Sequence, residues 1–321
     1  MRPASARSPR RSVRAGAASA LAPLVLAFVA ACGQRDAQVG LVPLADGSAS
    51  MPALFSSEME LNDGPWKVST PLPGAAATFG VAATAARDGR AAELRFPGDP
   101  ALTATDRVDP DLATQIETKQ FFRYGTFKAR VQFPSCAPGE EIASAVFMYF
   151  RDGRDANDNG LTDLHELDFH VLCGAPSFIV LTAWSDYDAQ PDGGAETFLK
   201  LSHAVDTATG DLYDTPAPGE RTYVKTGNDP ALAQPGFPAA GAFYDVGIEW
   251  LPARVRFFIV LGGAERTLWT VTDARYVPQV PLPMMFNVWH PSTHWLPART
   301  PADYPTQDGV MRIDSAEWRA P

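Results

Sequence analysis

Residues 166–170 read Glu-Leu-Asp-Phe-His. On an extended strand each residue advances about 3.3 Å and successive side chains point to opposite faces. Glu166, Asp168 and His170 therefore share one face, and Leu167, Phe169 and Val171 turn to a core. Three titratable groups in a row can carry nucleophilic and proton-transfer chemistry. Cα atoms four residues apart on a strand are separated by roughly 13 Å, and side chains leaning together close this to about 5–6 Å. That nears the roughly 5–5.5 Å between nucleophile and proton donor in retaining cleavage of a glycosidic bond. Glu166 has the type of the nucleophile, Asp168 of a neighbour that tunes it, and position 170 of the donor. An imidazole stands there in place of the usual second carboxyl. Carboxylates beside a group of ordinary pKa about 6.5 favour its charged form, so His170 can in principle hold a proton near neutrality, but imidazole is shorter than a Glu side chain and can equally pair with Glu166 and quench it, which leaves reduced activity as an open reading. A half-solvated antiparallel strand shows the same alternation, so the context must carry the assignment.

The context is ordered. Glu117 to Val131 reads as a strand pair around Arg123-Tyr-Gly125, followed by an apolar run from Ala143 to Phe150, then 166–170. Further on come Tyr244-Asp-Val-Gly-Ile-Glu-Trp-Leu-Pro252, Pro283-Met-Met-Phe-Asn-Val-Trp289 and Ile313-Asp-Ser-Ala-Glu-Trp318. In this order the segments resemble glycoside hydrolase family 16, whose signature is Glu-(Ile/Leu)-Asp-(Ile/Phe)-Glu; residues 166–169 match it and His170 departs. The resemblance implies an all-β, concanavalin A-like jelly-roll sandwich of two antiparallel sheets with a concave sugar-binding groove. It also implies retaining endo-hydrolysis of a β-linked polysaccharide, with Glu166 as nucleophile, Asp168 as its helper and residue 170 as acid/base. A carbohydrate-binding or cell-surface interaction protein on the same scaffold is the alternative, and His170 is the residue that separates the two.

Composition agrees with one exported β domain. Among 321 residues there are 29 Pro and 25 Gly, and short apolar runs are bounded by turn residues. A net charge of −10 leaves no basic stripe for nucleic acid. Arginines at 2, 7, 10, 11 and 14 precede an apolar run, Ala18 to Ala31, that is short for a membrane span. Residues 1–32 thus read as a signal peptide ending at Cys32, in a context that resembles the bacterial lipobox. The expected product is a cell-envelope lipoprotein anchored to the membrane at Cys32, with residues 33–57 as a flexible tether and 58–321 as the sandwich. Cys136 and Cys173 remain as an even pair in a disulfide-permissive compartment. If the strand at 143–150 lies between those at 126–133 and 166–172, both fall at one end of the sheet and can bridge. Two buried free thiols are the other reading.

Asp155, Asn157, Asn159, Gly160, Asp163 and Glu166 have the spacing of a calcium loop. A carboxylate held by calcium cannot also be a nucleophile. The loop is therefore assigned to Asp155, Asn157, Asn159, Asp163 and the Leu161 carbonyl, with a structural Ca²⁺, or with no metal if the segment is only a solvated turn. Sugar rings call for flat apolar faces beside hydrogen-bonding groups. Trp184, Asn287, Trp289, His290 and Trp295 are the groove candidates, and Tyr149 a further one. Trp66, Trp250, Trp269 and Trp318 are assigned to the core. The Pro/Gly/Asp-rich stretch from about 187 to 242 reads as loops over one end of the cleft.

Overall fold

The computed structural model describes residues 54–321 except 63, 109, 152, 155–163, 188–197 and 217–221. The signal peptide, Cys32, most of the expected tether and the whole expected calcium loop lie outside the described residues. Strands are numbered in chain order. One sheet holds β1 (Leu54–Ser57), β3 (Ala76–Ala82), β4 (Arg90–Phe96), β6 (Gly125–Gln132), β13 (Tyr244–Leu251), β14 (Arg254–Leu261), β15 (Ala264–Val271) and β17 (Gly309–Arg319). The other holds β2 (Trp66–Ser69), β5 (Thr114–Phe122), β7 (Ala143–Arg151), β8 (Leu164–Leu172), β9 (Phe178–Tyr187), β10 (Phe198–Asp206), β11 (Asp211–Asp214), β12 (Val224–Asn228) and β16 (Leu282–Trp289). The first runs β15-β14-β13-β6-β17-β4-β3 with β1 also on β17, the second β12-β11-β10-β9-β8-β7-β16-β5-β2. All named pairings are antiparallel, and the fold is a two-sheet, jelly-roll-like sandwich.

Alternation builds the core. Along β6, Phe127, Ala129 and Val131 turn inward and are buried, and Thr126, Lys128 and Arg130 turn out. Aromatics interlock across the two sheets: Phe122 meets Trp318 at 4.9 Å and Phe127 meets Phe286 at 5.8 Å between ring centroids. Leu167, Phe169 and Val171 of β8 join this core. Trp66, Trp250 and Trp318 are buried in it as expected, whereas Trp269 is only half-buried, stacked between Phe257 and His203.

Three sequence expectations change. Residues 54–57 pair with Ala316–Arg319, so the sandwich takes in the last four residues assigned to the tether. The stretch 187–242 is not loop alone: β10, β11 and β12 extend the sheet beyond β9. β11 and β12 have only four and five residues and β12 is exposed along most of its length, so no apolar period marks them. The pair β5 and β6 is not a hairpin within one sheet, because the chain changes sheets between them. Tyr124 (φ 56°) and Gly125 (φ 120°) make that crossing, and a Cβ at Gly125 would lie 2.2 Å from the Arg319 carbonyl oxygen.

The same crossing alters the argument for the cysteines. β7 does not lie between β6 and β8, since β6 is in the opposite sheet. Both strands nevertheless end at one end of the sandwich, and Cys136 and Cys173 form a disulfide (Cα–Cα 5.6 Å) that ties the two layers together there. A cross-link over 37 residues contributes up to about 4 kcal/mol in the chain-entropy picture. Replacing both cysteines by serine is expected to lower the urea midpoint accordingly. An unchanged midpoint would mean that the bridge adds no stability.

Candidate functional site

Strand β8 occupies the middle of the nine-stranded sheet, with four strands on either side. Its odd-numbered residues face the core, so its even-numbered ones line the sheet's outer, groove face. Register fixes their neighbours in three rows. Tyr149, Glu166, Trp184 and Lys200 form one, and Phe147, Asp168, Thr182 and Ser202 the next. Ala145, His170, Val180 and Ala204 form the third, with Asn287 beyond Ala145 on β16. Glu166, Asp168 and His170 thus stand together on one face.

Groups on this face are drier than a solvated sheet would leave them. Glu166 is 4% and Asp168 1% exposed. Burial, the charge of Glu166 and a hydrogen bond to Glu166 raise the Asp168 pKa well above the usual carboxylate range, against the opposing pull of Lys200. Two carboxyls this close in a dry site disfavour each other's charge, and the shift favours a protonated Asp168 beside Glu166.

His170 does not behave as the sequence suggests. Burial, and secondarily the charge of Lys200, push its pKa down to about 3. A protonated imidazole is disfavoured for a physical reason: burial penalises the charged ring, and Lys200 adds to it. The ring packs edge-on to Trp295, with centroids 5.2 Å apart. Its Nδ1, the Asp168 Oδ1 and the Asn287 Oδ1 are buried with no hydrogen-bond partner among the described residues. Buried polar atoms without partners are costly, and three on one face are what a hydroxyl-rich ligand would satisfy.

The aromatic candidates divide. Trp295 is half-buried over His170. Trp289 is buried in the main core cluster and backs Trp295 at 6.1 Å, so it supports the platform and presents no open face. Trp184 lies on the groove face but is buried, and the Lys200 ammonium sits 3.9 Å from its ring centroid. Tyr149 is half-buried directly across from Glu166. His290 is not a groove residue. It is fully buried, with Nδ1 2.8 Å from the Glu141 carbonyl oxygen and Nε2 3.1 Å from that of Ala104, because the chain has turned inward after β16.

Sequence reasoning missed Lys200, Ser202, Tyr223 and Arg299. Burial raises the Tyr223 pKa, and a hydrogen bond to Ser202 and the charge of Arg299 pull the other way. The signal for the first two was present: Leu201, His203 and Val205 alternate with Lys200, Ser202 and Ala204. Cys136, Glu141 and Cys173 come together as metal-binding types, but the sulfurs are bonded to each other and offer no thiolate.

No family model matches the chain, and no curated protein matches it. Solved structures do. A Bacillus licheniformis β-glucanase is similar at a TM-score of 0.49 and 13% identity, over 84% of this chain and 99% of that one. A β-1,3-1,4-glucanase (lichenase) from a mouse hindgut metagenome is similar at 0.47 and 15%, over 84% and 100%. The laminarinase catalytic domain of Thermotoga maritima is similar at 0.45 and 16%, over 83% and 97%. At these values the fold rests on the strand order given above, and the likeness says nothing of what this chain acts on.

The two shifted groups act oppositely on stability. Between about pH 3 and 6.5 the unfolded chain protonates His170 and the folded one does not, so this group makes stability rise with pH. Above about pH 4 the folded chain holds a proton on Asp168 that the unfolded one releases, so this group makes stability fall as pH rises. Asp168→Asn keeps a donor toward Glu166 and removes that cost. The variant is expected to gain stability over the parent at pH 7 relative to pH 3 in paired thermal melts. A difference between the two proteins that does not change with pH would show Asp168 to be ionised.

Proposed function

We propose that the groove binds a β-linked polysaccharide and that Glu166 attacks the anomeric carbon, making the protein a retaining hydrolase of O-glycosyl bonds. The observation that carries this reading is the buried, hydrogen-bonded Glu166–Asp168 pair on the central strand, with the Asp168 pKa raised. The protonated Asp168 leaves Glu166 as the ionised, hydrogen-bonded nucleophile. When Glu166 departs from the glycosyl-enzyme, the same hydrogen bond stabilises the returning carboxylate. The family resemblance of residues 166–169 adds to this. Export, lipidation at Cys32 and a structural calcium at 155–163 belong to the same reading.

His170 sets the rate. With a pKa of about 3, only about one imidazole in 10⁴ is protonated at pH 7, so departure of a sugar alkoxide is poorly assisted. An aryl leaving group of low pKa needs no proton. This is also the observation that favours the second reading, a binding protein on a hydrolase scaffold.

Dinitrophenyl β-oligosaccharides and a panel of laminarin, lichenan, xyloglucan, agarose and carrageenan separate the two. Hydrolysis of an activated aryl glycoside that is lost in Glu166→Gln is expected. Release from polysaccharide should be slow in the parent and rise about 10²-fold or more in His170→Glu. Absence of any Glu166-dependent turnover of the activated substrates would leave binding as the function.

A further inference from the structure

Glu141, two residues ahead of β7, is fully buried, and each of its polar groups fastens a neighbouring stretch of chain. Its amide donates to the Asp303 carbonyl oxygen (3.3 Å) and its own carbonyl oxygen accepts from His290 Nδ1 (2.8 Å). One carboxyl oxygen accepts from the Gly174 amide (2.7 Å) and the other from His294 Nδ1 (2.8 Å). Three of these partners, His290, His294 and Asp303, lie in one segment that doubles back on itself through hydrogen bonds from the His294 amide to Thr300 and from the Ala302 amide to Ser292. The fourth, Gly174, follows Cys173 just past β8. A Cβ at Gly174 would lie 2.7 Å from His294 Cε1 and 2.8 Å from Glu141 Oε2, so this close approach needs a glycine. Glu141 is itself held in place by the Cys136–Cys173 bridge and by the reciprocal bonds of Ile142 and Cys173, 3.0 Å each. Burial pushes its pKa up, and the Gly174 amide and His294 pull against that. Loss of a partner from a group so enclosed is costly, which makes the pair a fixed point of the fold. The residue after His294 is Trp295, which stands edge-on over His170 in the groove.

We propose that Glu141 is a positioning residue for the groove: through His294 it fixes Trp295 over His170, and so sets how tightly the groove holds a sugar ring. This rests on the glycan-binding part of the reading above and adds a determinant of affinity that lies outside the groove. An indole held in one place meets a ligand without paying the cost of ordering itself, whereas a ring free to change rotamer gives up part of its contact energy to that ordering. Glu141 is buried and does not meet substrate, so its effect reaches the groove only through the segment it holds. Leu296, on the other side of Trp295, is buried in a cluster with Leu172 and Val180 and anchors the backbone there, which leaves the His294 side as the place where the indole's position is set by a polar contact.

The test combines fluorine NMR of the chain labelled with fluorotryptophan and affinity electrophoresis in laminarin, lichenan and xyloglucan gels. The Trp295 resonance is the one missing from Trp295→Phe. His294→Ala and Glu141→Ala are each expected to shift or broaden that resonance while those of Trp66 and Trp318, deep in the core, stay in place. Both variants should also bind the retarding polymer about tenfold more weakly than the parent. In a Trp295→Ala background His294→Ala should add no further loss, because the two substitutions act through one contact; a role in overall stability alone would not give that result. A Trp295 resonance unmoved in His294→Ala, or losses from His294→Ala and Trp295→Ala that add, would overturn the inference while leaving a glycan groove in place. Should none of the polymers retard the parent, the glycan reading falls, and the Trp295 resonance alone decides whether Glu141 and His294 hold the ring. Should Glu141→Ala not fold, His294→Ala, at a ring that is not fully buried, gives the same two readings.

Discussion

The burial of the hydrogen-bonded Glu166–Asp168 pair is the constraint from which the rest of the site follows. Burial raises the Asp168 pKa, and the pair is buried on β8, the middle strand of nine, which packs on the core on one side. Leu167, Phe169 and Val171 anchor the strand from beneath, and the Cys136–Cys173 bridge ties its end to the opposite sheet. Holding Asp168 protonated costs stability at neutral pH. Such local cost is common where a fold positions reactive groups.

The same dryness that suits Glu166 makes a histidine unsuitable as an acid four residues on. A carboxyl in that place would be pushed toward its protonated, donating form by burial, whereas an imidazole is pushed toward its neutral form. The ring that results is an aromatic support for Trp295 with an unpartnered Nδ1. An imidazole so placed is poorly suited to giving up a proton near neutral pH.

Much of the fold was legible because alternation is a strong signal where one face is core: β6, β7, β8, β13, β16 and β17 all fall where the sequence put strands. The change of sheet between β5 and β6 was not, since two adjacent strands joined by a tight turn look alike whether they share a sheet or not. Strands β11 and β12 were hidden by their length, and β12 also by its exposure. At the site, residue types and their common face could be read from Glu166 to His170, but protonation could not, because it depends on burial contributed by Trp295 and by strands distant in sequence. His290 looked like a groove residue by its neighbours Asn287 and Trp289, and only the path of the chain after β16 shows that it turns inward. Lys200 went unnoticed because a lone lysine on an alternating strand reads as a solvated face until Trp184 is seen beneath it.

Infrared difference spectroscopy of the folded domain at pH 7, parent against Asp168→Asn, tests the central claim most directly. A protonated-carboxyl C=O stretch present in the parent and absent from the variant is the result expected of a proton held on Asp168 beside an ionised Glu166. Spectra that differ only in carboxylate bands would mean both groups are ionised, and the account of the site built on their shared proton would be wrong.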